Sequence, residues 1–291
     1  MMSPHCVLTV HAHPDDEASK GAGTIARCHA EGIRTVLVCC TGGEVGDILN
    51  KAMDTPEVRA DLPGVRRAEL AAAADLIGYD EVVMLGYRDS GMPDSEANAH
   101  PDCFARADFD EAVDRLVAII RRARPQVIVT YSDDQRGYQH PDHLRVHDIS
   151  LPAFDLAGDP DHRPDLGPAW EPLKLYYTQW SRARIEARHK AFLDQGLDSP
   201  YDDFWFKRPS QDDRITTRVD VSDYYEARVA GLRAHATQVD PESPFWFGLP
   251  ADIDRAAYPY DDYVLARSRV SSSTPESDLF AGISEPASAT R

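Results

Sequence analysis

The sequence contains no apolar run approaching the ~20 residues that a membrane-spanning helix requires, which predicts a soluble chain. Basic residues are scarce: 31 Lys and Arg stand against 49 Asp and Glu, a formal charge of −18. Such a surface repels phosphate backbones and anionic lipid, whose binding depends on Lys and Arg displacing counterions, so neither nucleic acid nor a membrane is expected as a partner. The acidic excess itself reads as a solvated surface. Cysteine is sparse too, with an odd set at positions 6, 28, 39, 40 and 103 that lacks any C-x-x-C pair or disulfide-like spacing. Cys6, Cys39 and Cys40 fall in apolar strand-like runs, where a thiol packs as a small hydrophobe. A reducing cytoplasm fits this usage. Met1 to Pro4 lead into an apolar strand without a basic n-region, long h-region or small-residue cleavage site, so export is not expected.

Against these absences stands a regular alternation of strand and helix signals over the first half of the 291 residues. Cys6–Val10, Thr35–Cys40, Glu81–Leu85 and Gln126–Tyr131 read as strands; Glu17–Glu31, Val65–Leu76 and Asp108–Ala123 read as helices, stopped by Gly32, Gly78 and Pro125. Strands that are apolar throughout, each followed by a helix, predict an α/β fold with a Rossmann-like, mostly parallel sheet covered by helices on both faces. In the second half Lys174–Thr178 and Ile215–Val219 look like strands, and Arg182–Leu193 and Ser222–Ala236 like helices. With no clean linker and no repeat, residues 1–283 are expected to form a single catalytic domain. Residues 1–160 would be its core and 161–283 a C-terminal portion walling the cleft, while 284–291 have the composition of a disordered tail.

Ligands of open α/β sheets bind beyond the carboxyl ends of the strands, so the residues just after each strand deserve inspection. There lie His11-Ala-His13-Pro-Asp15-Asp16-Glu17, Thr41-Gly-Gly-Glu44, Arg88-Asp89-Ser90 and Tyr138-Gln-His140-Pro-Asp142-His143. A catalytic zinc takes three His or carboxylate ligands and leaves a position for water. His-x-Pro-Asp-Asp supplies an imidazole and two carboxylates within four residues, and His140 and His143, three apart, can face the same cleft. Capping is the ordinary duty of an Asp at a helix start. Two such clusters on separate strands, however, would be costly to desolvate without a compensating cation.

Together the HAHPDDE segment at 11–17, Thr41-Gly-Gly-Glu44, Arg66-Arg67-Ala-Glu69-Leu70, Arg88-Asp89-Ser90-Gly91 and His140-Pro-Asp142-His143 resemble the LmbE/PIG-L family of zinc-dependent N-acyl-glucosamine hydrolases. The likeness covers most of the chain. Lys20 in Ser19-Lys20-Gly21, Ala234-His235-Ala-Thr-Gln238 and Leu279-Phe-Ala-Gly-Ile283 resemble the branch acting on mycothiol S-conjugates. The resemblance implies one zinc ion held by His13, Asp16 and His143, with ferrous iron suiting the same ligands, and Asp15 as general base. It implies hydrolysis of the amide between glucosaminyl-inositol and an acylcysteine in thiol-based detoxification, or alternatively deacetylation of N-acetylglucosaminyl-inositol.

Tyr138 and His140 are then placed to donate hydrogen bonds to the tetrahedral oxyanion, and His140 can also protonate the leaving amine. Asp142 can orient His140 through its ring N–H or cap the helix. The family likeness also points to Arg66 and Asp89 as sugar or inositol contacts with Glu44 nearby, though each can equally form a structural ion pair. It places Lys20 by the acyl side of the substrate, against an ordinary solvated helix lysine, and brings His235 and Gln238 towards the cleft. His147, one turn after His143, could chelate with it but has no family support.

Gly21-Ala-Gly23-Thr-Ile-Ala26 matches G-x-G-x-x-A, with Glu44 about twenty residues on, as a nucleotide-binding protein would have. Its glycines fall inside the expected helix rather than at the strand-to-helix turn, so close packing explains them better. A non-catalytic zinc protein is the other competing class; structural zinc prefers four protein ligands, commonly cysteines, and none lies near these motifs.

Overall fold

The computed structural model describes residues 5–135 and 137–284. Its elements, in chain order, begin with β1 (Cys6–His11), α1 (Asp16–Ser19), α2 (Ala22–Ala30), β2 (Arg34–Thr41), α3 (Pro56–Ala60), α4 (Leu62–Ile77) and β3 (Glu81–Tyr87). Then come α5 (Phe109–Ala123), β4 (Val127–Tyr131), α6 (Pro141–Leu156), β5 (Lys174–Gln179), α7 (Arg182–Asp194) and α8 (Asp203–Lys207). β6 (Thr217–Asp220), α9 (Tyr225–Ala234), α10 (Pro244–Phe247), α11 (Ala251–Ala257) and β7 (Tyr260–Ser268) complete the set.

These strands make one seven-stranded sheet in the order β3-β2-β1-β4-β5-β7-β6. The first five are parallel; β7 runs antiparallel to both β5 and β6. The C-terminal portion therefore lies at the far edge of the sheet and also continues it. β7 gave no sequence signal, because Asp261 and Asp262 interrupt its apolar pattern. Both aspartates are buried in the fold, where Ser181 Oγ donates to Asp262 at 2.5 Å and Thr24 to Asp261 at 3.0 Å.

All residues of β1 are buried, as a strand covered on both faces must be. On one face Leu8, Val10 and Val38 pack with Leu116 and Ile120 of α5 and Ile149 of α6; on the other Val7, Leu37 and Cys39 meet Ile25, Leu70, Ile77 and Leu232 of α2, α4 and α9. The five cysteines are unpaired and buried. Among the described residues no helix is long and apolar enough to cross a membrane.

Two helix boundaries differ from expectation. The helix read over 17–31 is broken into α1 and α2 at Gly21, whose φ of +92° is open to glycine, and a Cβ there would meet Tyr263 Oη at 2.8 Å. The helix read from Val65 begins three residues earlier, where Asp61 Oδ1 accepts from Gly64 N at 3.1 Å and Pro63 fits the first turn. Of the expected tail, residues 285–291 lie outside the described residues.

Candidate metal centre

Strand order reverses between β1 and β4, and the crevice beyond their carboxyl ends is the place where this topology binds ligands. The 11–17 segment follows β1 and the 138–143 segment follows β4. Tyr131, the last residue of β4, accepts from Ala12 N through its hydroxyl at 3.0 Å and so ties the two together. Arg66 of α4, 2 % exposed, clamps the first loop from below: Nη1 donates to Gly43 O at 2.7 Å, Nη2 to Pro14 O at 2.5 Å and to Asp15 Oδ2 at 3.1 Å. Asp15 itself sits at φ +119°, rare for a residue with a side chain, while its N–H donates to Glu17 Oε2 at 3.0 Å.

His13, Asp16 and His143 each present one ligand atom within 4.8 Å of the others. His13 Nδ1 and His143 Nε2 both lie 3.4 Å from Asp16 Oδ2. Two donors about 2.1 Å from an ion at tetrahedral angles stand about 3.4 Å apart, so these separations fit one small divalent cation. Charge agrees with shape. Burial opposes ionisation of Asp16, but Lys20 and the two histidines hold its carboxyl well below the usual range. Burial pushes His143 down to about 4, which leaves a neutral imidazole. His13 is pressed down by burial yet raised well above its ordinary value by Asp142, Asp16 and Asp89. Three carboxylates around one imidazole are an anionic nest for which a cation and a proton compete.

His13 also belongs to a second group with Asp89, His140 and Asp142. Its Nε2 is 3.1 Å from Asp142 Oδ2 and 3.6 Å from Asp89 Oδ1. Asp142 is already occupied, because Ser90 N donates to Oδ2 at 2.9 Å and Ser90 Oγ to Oδ1. The two nitrogens of His13 thus face different partners, Nδ1 the ligand cluster and Nε2 the carboxylate of Asp142, which is the usual arrangement of a metal-binding histidine and its orienting acid. Where an Asp142–His140 contact was expected, the Asp142 carboxylate is turned inward by the first turn of α6 and meets His13 Nε2 and Ser90. The cap is also reassigned, since His140 is the N-cap of α6 and its Nδ1 accepts from Asp142 N at 3.2 Å. A neutral His140 then carries its proton on Nε2, and burial with the neighbouring His13 lowers its pKa.

Asp15 is half-buried and its carboxyl is pushed up to about 6, first by burial and then by the charge of Asp16, against Arg66, His235 and His13. A carboxylate so tuned can accept a proton near neutral pH. Tyr138 is 55 % exposed, and its ring centroid lies 5.2 Å from that of His143 and 6.1 Å from that of His140. Lys20 pairs through Nζ with Asp16 Oδ1, the oxygen turned away from the histidines, rather than extending into solvent. Glu44 Oε2 accepts from Asp89 N at 2.8 Å.

Other expected substrate contacts lie behind the crevice. His235 is fully buried with Nε2 2.5 Å from Glu17 Oε1, so it braces the loop. Gln238, 9 % exposed, donates to Asp47 O at 3.1 Å and stands beside Arg66 near Gly46. Arg66 spends both terminal nitrogens on Pro14, Asp15 and Gly43, while its Nε has no hydrogen-bond partner among the described residues. His147 Nδ1 lies 3.1 Å from Tyr131 O, away from both ligand groups. Ser90, Glu17 and Glu69 carried no assigned role, yet Ser90 fixes Asp142, Glu17 joins Asp15 to His235, and Glu69 accepts from Thr237 N at 2.8 Å and Oγ1 at 2.7 Å. Polar side chains inside three of the quoted motifs were the available signal. Gly23 lies within α2, where a Cβ would stand 2.7 Å from Val221 Cβ, in keeping with packing rather than nucleotide binding.

Residues 8–154 match the family model described as PIG-L: GlcNAc-PI de-N-acetylase. A mycothiol S-conjugate amidase of Streptomyces coelicolor is 45% identical over 97% of this chain and 98% of its own. A 1D-myo-inositol 2-acetamido-2-deoxy-alpha-D-glucopyranoside deacetylase of Geodermatophilus obscurus is 40% identical over 95% and 97%. Among solved structures, an N,N'-diacetylchitobiose deacetylase of Pyrococcus horikoshii superposes with a TM-score of 0.61 at 18% identity, covering 89% of this chain and 83% of its own, which supports the fold. Motifs, sheet order and full-length likeness converge: the chain belongs to the PIG-L (LmbE-like) family and is a hydrolase of amide bonds.

Proposed function

We propose that the protein hydrolyses the amide joining glucosaminyl-inositol to the acylcysteine of mycothiol S-conjugates, in the reducing cytoplasm, with one zinc ion held by His13, Asp16 and His143. The observation that carries the metal assignment is the pair of 3.4 Å separations about Asp16 Oδ2. The substrate assignment rests on the 45% identical amidase, and the unpaired buried thiols agree with the compartment. Ferrous iron suits the same donor set.

A cation held by His13, Asp16 and His143 would supply Lewis acidity, lowering the pKa of the attacking water to ~7 and polarising the amide carbonyl. Asp15 takes the proton of the attacking water; Arg66 and Glu17 hold it at the angle where it can. His140, with its proton on Nε2, donates to the developing oxyanion and Tyr138 supports it from the open side of the crevice. Loss of one such donor typically lowers turnover by a factor of ~100 or more. Asp15 or His140 then returns a proton to the departing amine. Lys20 and Asp89 line the crevice for the acyl and sugar ends.

A second reading, deacetylation of N-acetylglucosaminyl-inositol, is favoured by the 40% identical relative. Incubation of the purified enzyme with a bimane conjugate of mycothiol and, separately, with the acetylated sugar-inositol separates them by mass spectrometry. Faster release of the acylcysteine conjugate is expected; faster acetate release would replace the first reading with the second.

A further inference from the structure

We propose that a recess between α7, α9 and α11 binds a small oxyanion, a phosphate or a carboxylate, through the guanidinium groups of Arg184, Arg188 and Arg228. None of these residues belongs to either metal-ligand group.

Arg184 and Arg188 stand four apart on α7 and so share a helix face, and Arg228 of α9 lines the recess with them. Arg188 is 2 % exposed. Its Nε pairs with Asp254 Oδ1 at 2.8 Å, but Nη1 and Nη2 have no hydrogen-bond acceptor among the described residues. Arg228 Nε is likewise buried without an acceptor. Each nearby carboxylate already takes another donor on one oxygen: Asp254 Oδ2 takes the Tyr225 hydroxyl at 3.0 Å while its Oδ1 faces Arg188 Nε, and Asp261 Oδ2 takes both Thr24 N and Oγ1 at 3.0 Å. Arg184 Nη1 reaches only to 3.9 Å from Asp261 Oδ1.

Three guanidinium groups thus meet only two carboxylates, each with one oxygen already hydrogen-bonded to another group, inside a chain whose formal charge is −18. Burial and then the charges of Arg184 and Arg188 push Arg228 down to about 9. Buried charged N–H groups left without acceptors are costly, and a neutral ligand would not cancel the surplus charge. An oxyanion supplies both a countercharge and lone pairs in the forked geometry that guanidinium favours. Arg255 and the Tyr224 ring stand at the wall of the recess. A ligand there would brace α7 against α9, the helix that leads into His235.

The test is thermal unfolding of the metal-loaded enzyme titrated with inorganic phosphate or acetate at ionic strength held constant with chloride. A saturable rise in Tm is expected for one or both anions, which distinguishes the two sources. Half-saturation should weaken at least tenfold in Arg188→Met and in Arg228→Met. Equilibrium dialysis of the wild-type enzyme with radiolabelled phosphate and acetate keeps the test decisive should a variant fail to fold. A response no greater than that of chloride, or no binding of either anion in dialysis, overturns the proposal. So does a response kept in Arg188→Met but abolished in His143→Ala, because the anion would then sit at the metal centre.

Discussion

Asp142 shows how much one side chain decides at this centre. Its carboxylate lies 3.1 Å from His13 Nε2 and is fixed by two hydrogen bonds from Ser90, so it sets the ring orientation that points Nδ1 at Asp16. Asp142→Asn keeps the shape but removes the charge that favours an Nε2–H donor. Metal affinity measured by chelator competition is expected to fall roughly 10- to 100-fold, with unchanged circular dichroism; unaltered affinity would show that the contact does not orient the ligand. The two His/Asp clusters that contain His13, Asp16 and His143 were readable in the sequence because they come after strands β1 and β4, whereas the choice of these three residues came from the family resemblance. The partner of Asp142 was not, since Ser90 is 52 residues away and meets it only when the loop after β3 folds over α6.

Whole elements divide in the same way. The four parallel strands of the first half were legible: burial on both faces makes β1, β2 and β4 apolar throughout, and the edge strand β3, where only Leu85 is buried, still carries a short apolar run. β7 was not, because its aspartates are satisfied by tertiary partners that no local pattern reveals. The break between α1 and α2 also escaped periodicity: hydrophobic spacing continues across Gly21, but the backbone there turns to φ +92° to carry Lys20 back to Asp16. Gly21→Ala forces a side chain into that conformation and against the Tyr263 hydroxyl, so a loss of about 1–3 kcal/mol is expected in denaturant unfolding. A stability equal to wild type would mean that the turn can relax without cost. His235, expected to approach the cleft, lies buried against Glu17, a depth the sequence could not show because it does not tell a residue that lines a crevice from one that supports its floor.

Across the molecule, the C-terminal segment is locked to the sheet by a buried polar knot. Lys174 Nζ and Tyr176 Oη each donate to Glu276 at 2.6 Å, Thr217 Oγ1 does so at 2.8 Å, and Lys174 also reaches Ala281 O at 3.0 Å. Burial alone would raise the Glu276 carboxyl, but Lys174, Ser272, Tyr176 and Thr217 hold it below its ordinary value. A depressed folded-state pKa adds stability above the unfolded value of ~4.3 and loses it as pH falls through the lower folded value. Glu276→Gln leaves Lys174 buried without countercharge, so urea unfolding at pH 7 should show a loss of about 3–5 kcal/mol. The variant should also lose less stability than wild type on acidification below pH ~4; equal acid sensitivity would contradict the assignment.

Metal content per chain tests the shared ligand set most directly. Elemental analysis after dialysis against metal-free buffer should find about one divalent ion in the wild-type enzyme and in Asp15→Ala, the latter almost without turnover. His13→Ala, Asp16→Ala and His143→Ala should each come out nearly empty while remaining folded. Full metal occupancy in His143→Ala, or an active Asp15→Ala, would contradict a single cation gripped from both sides of the β1/β4 crevice with Asp15 beside it.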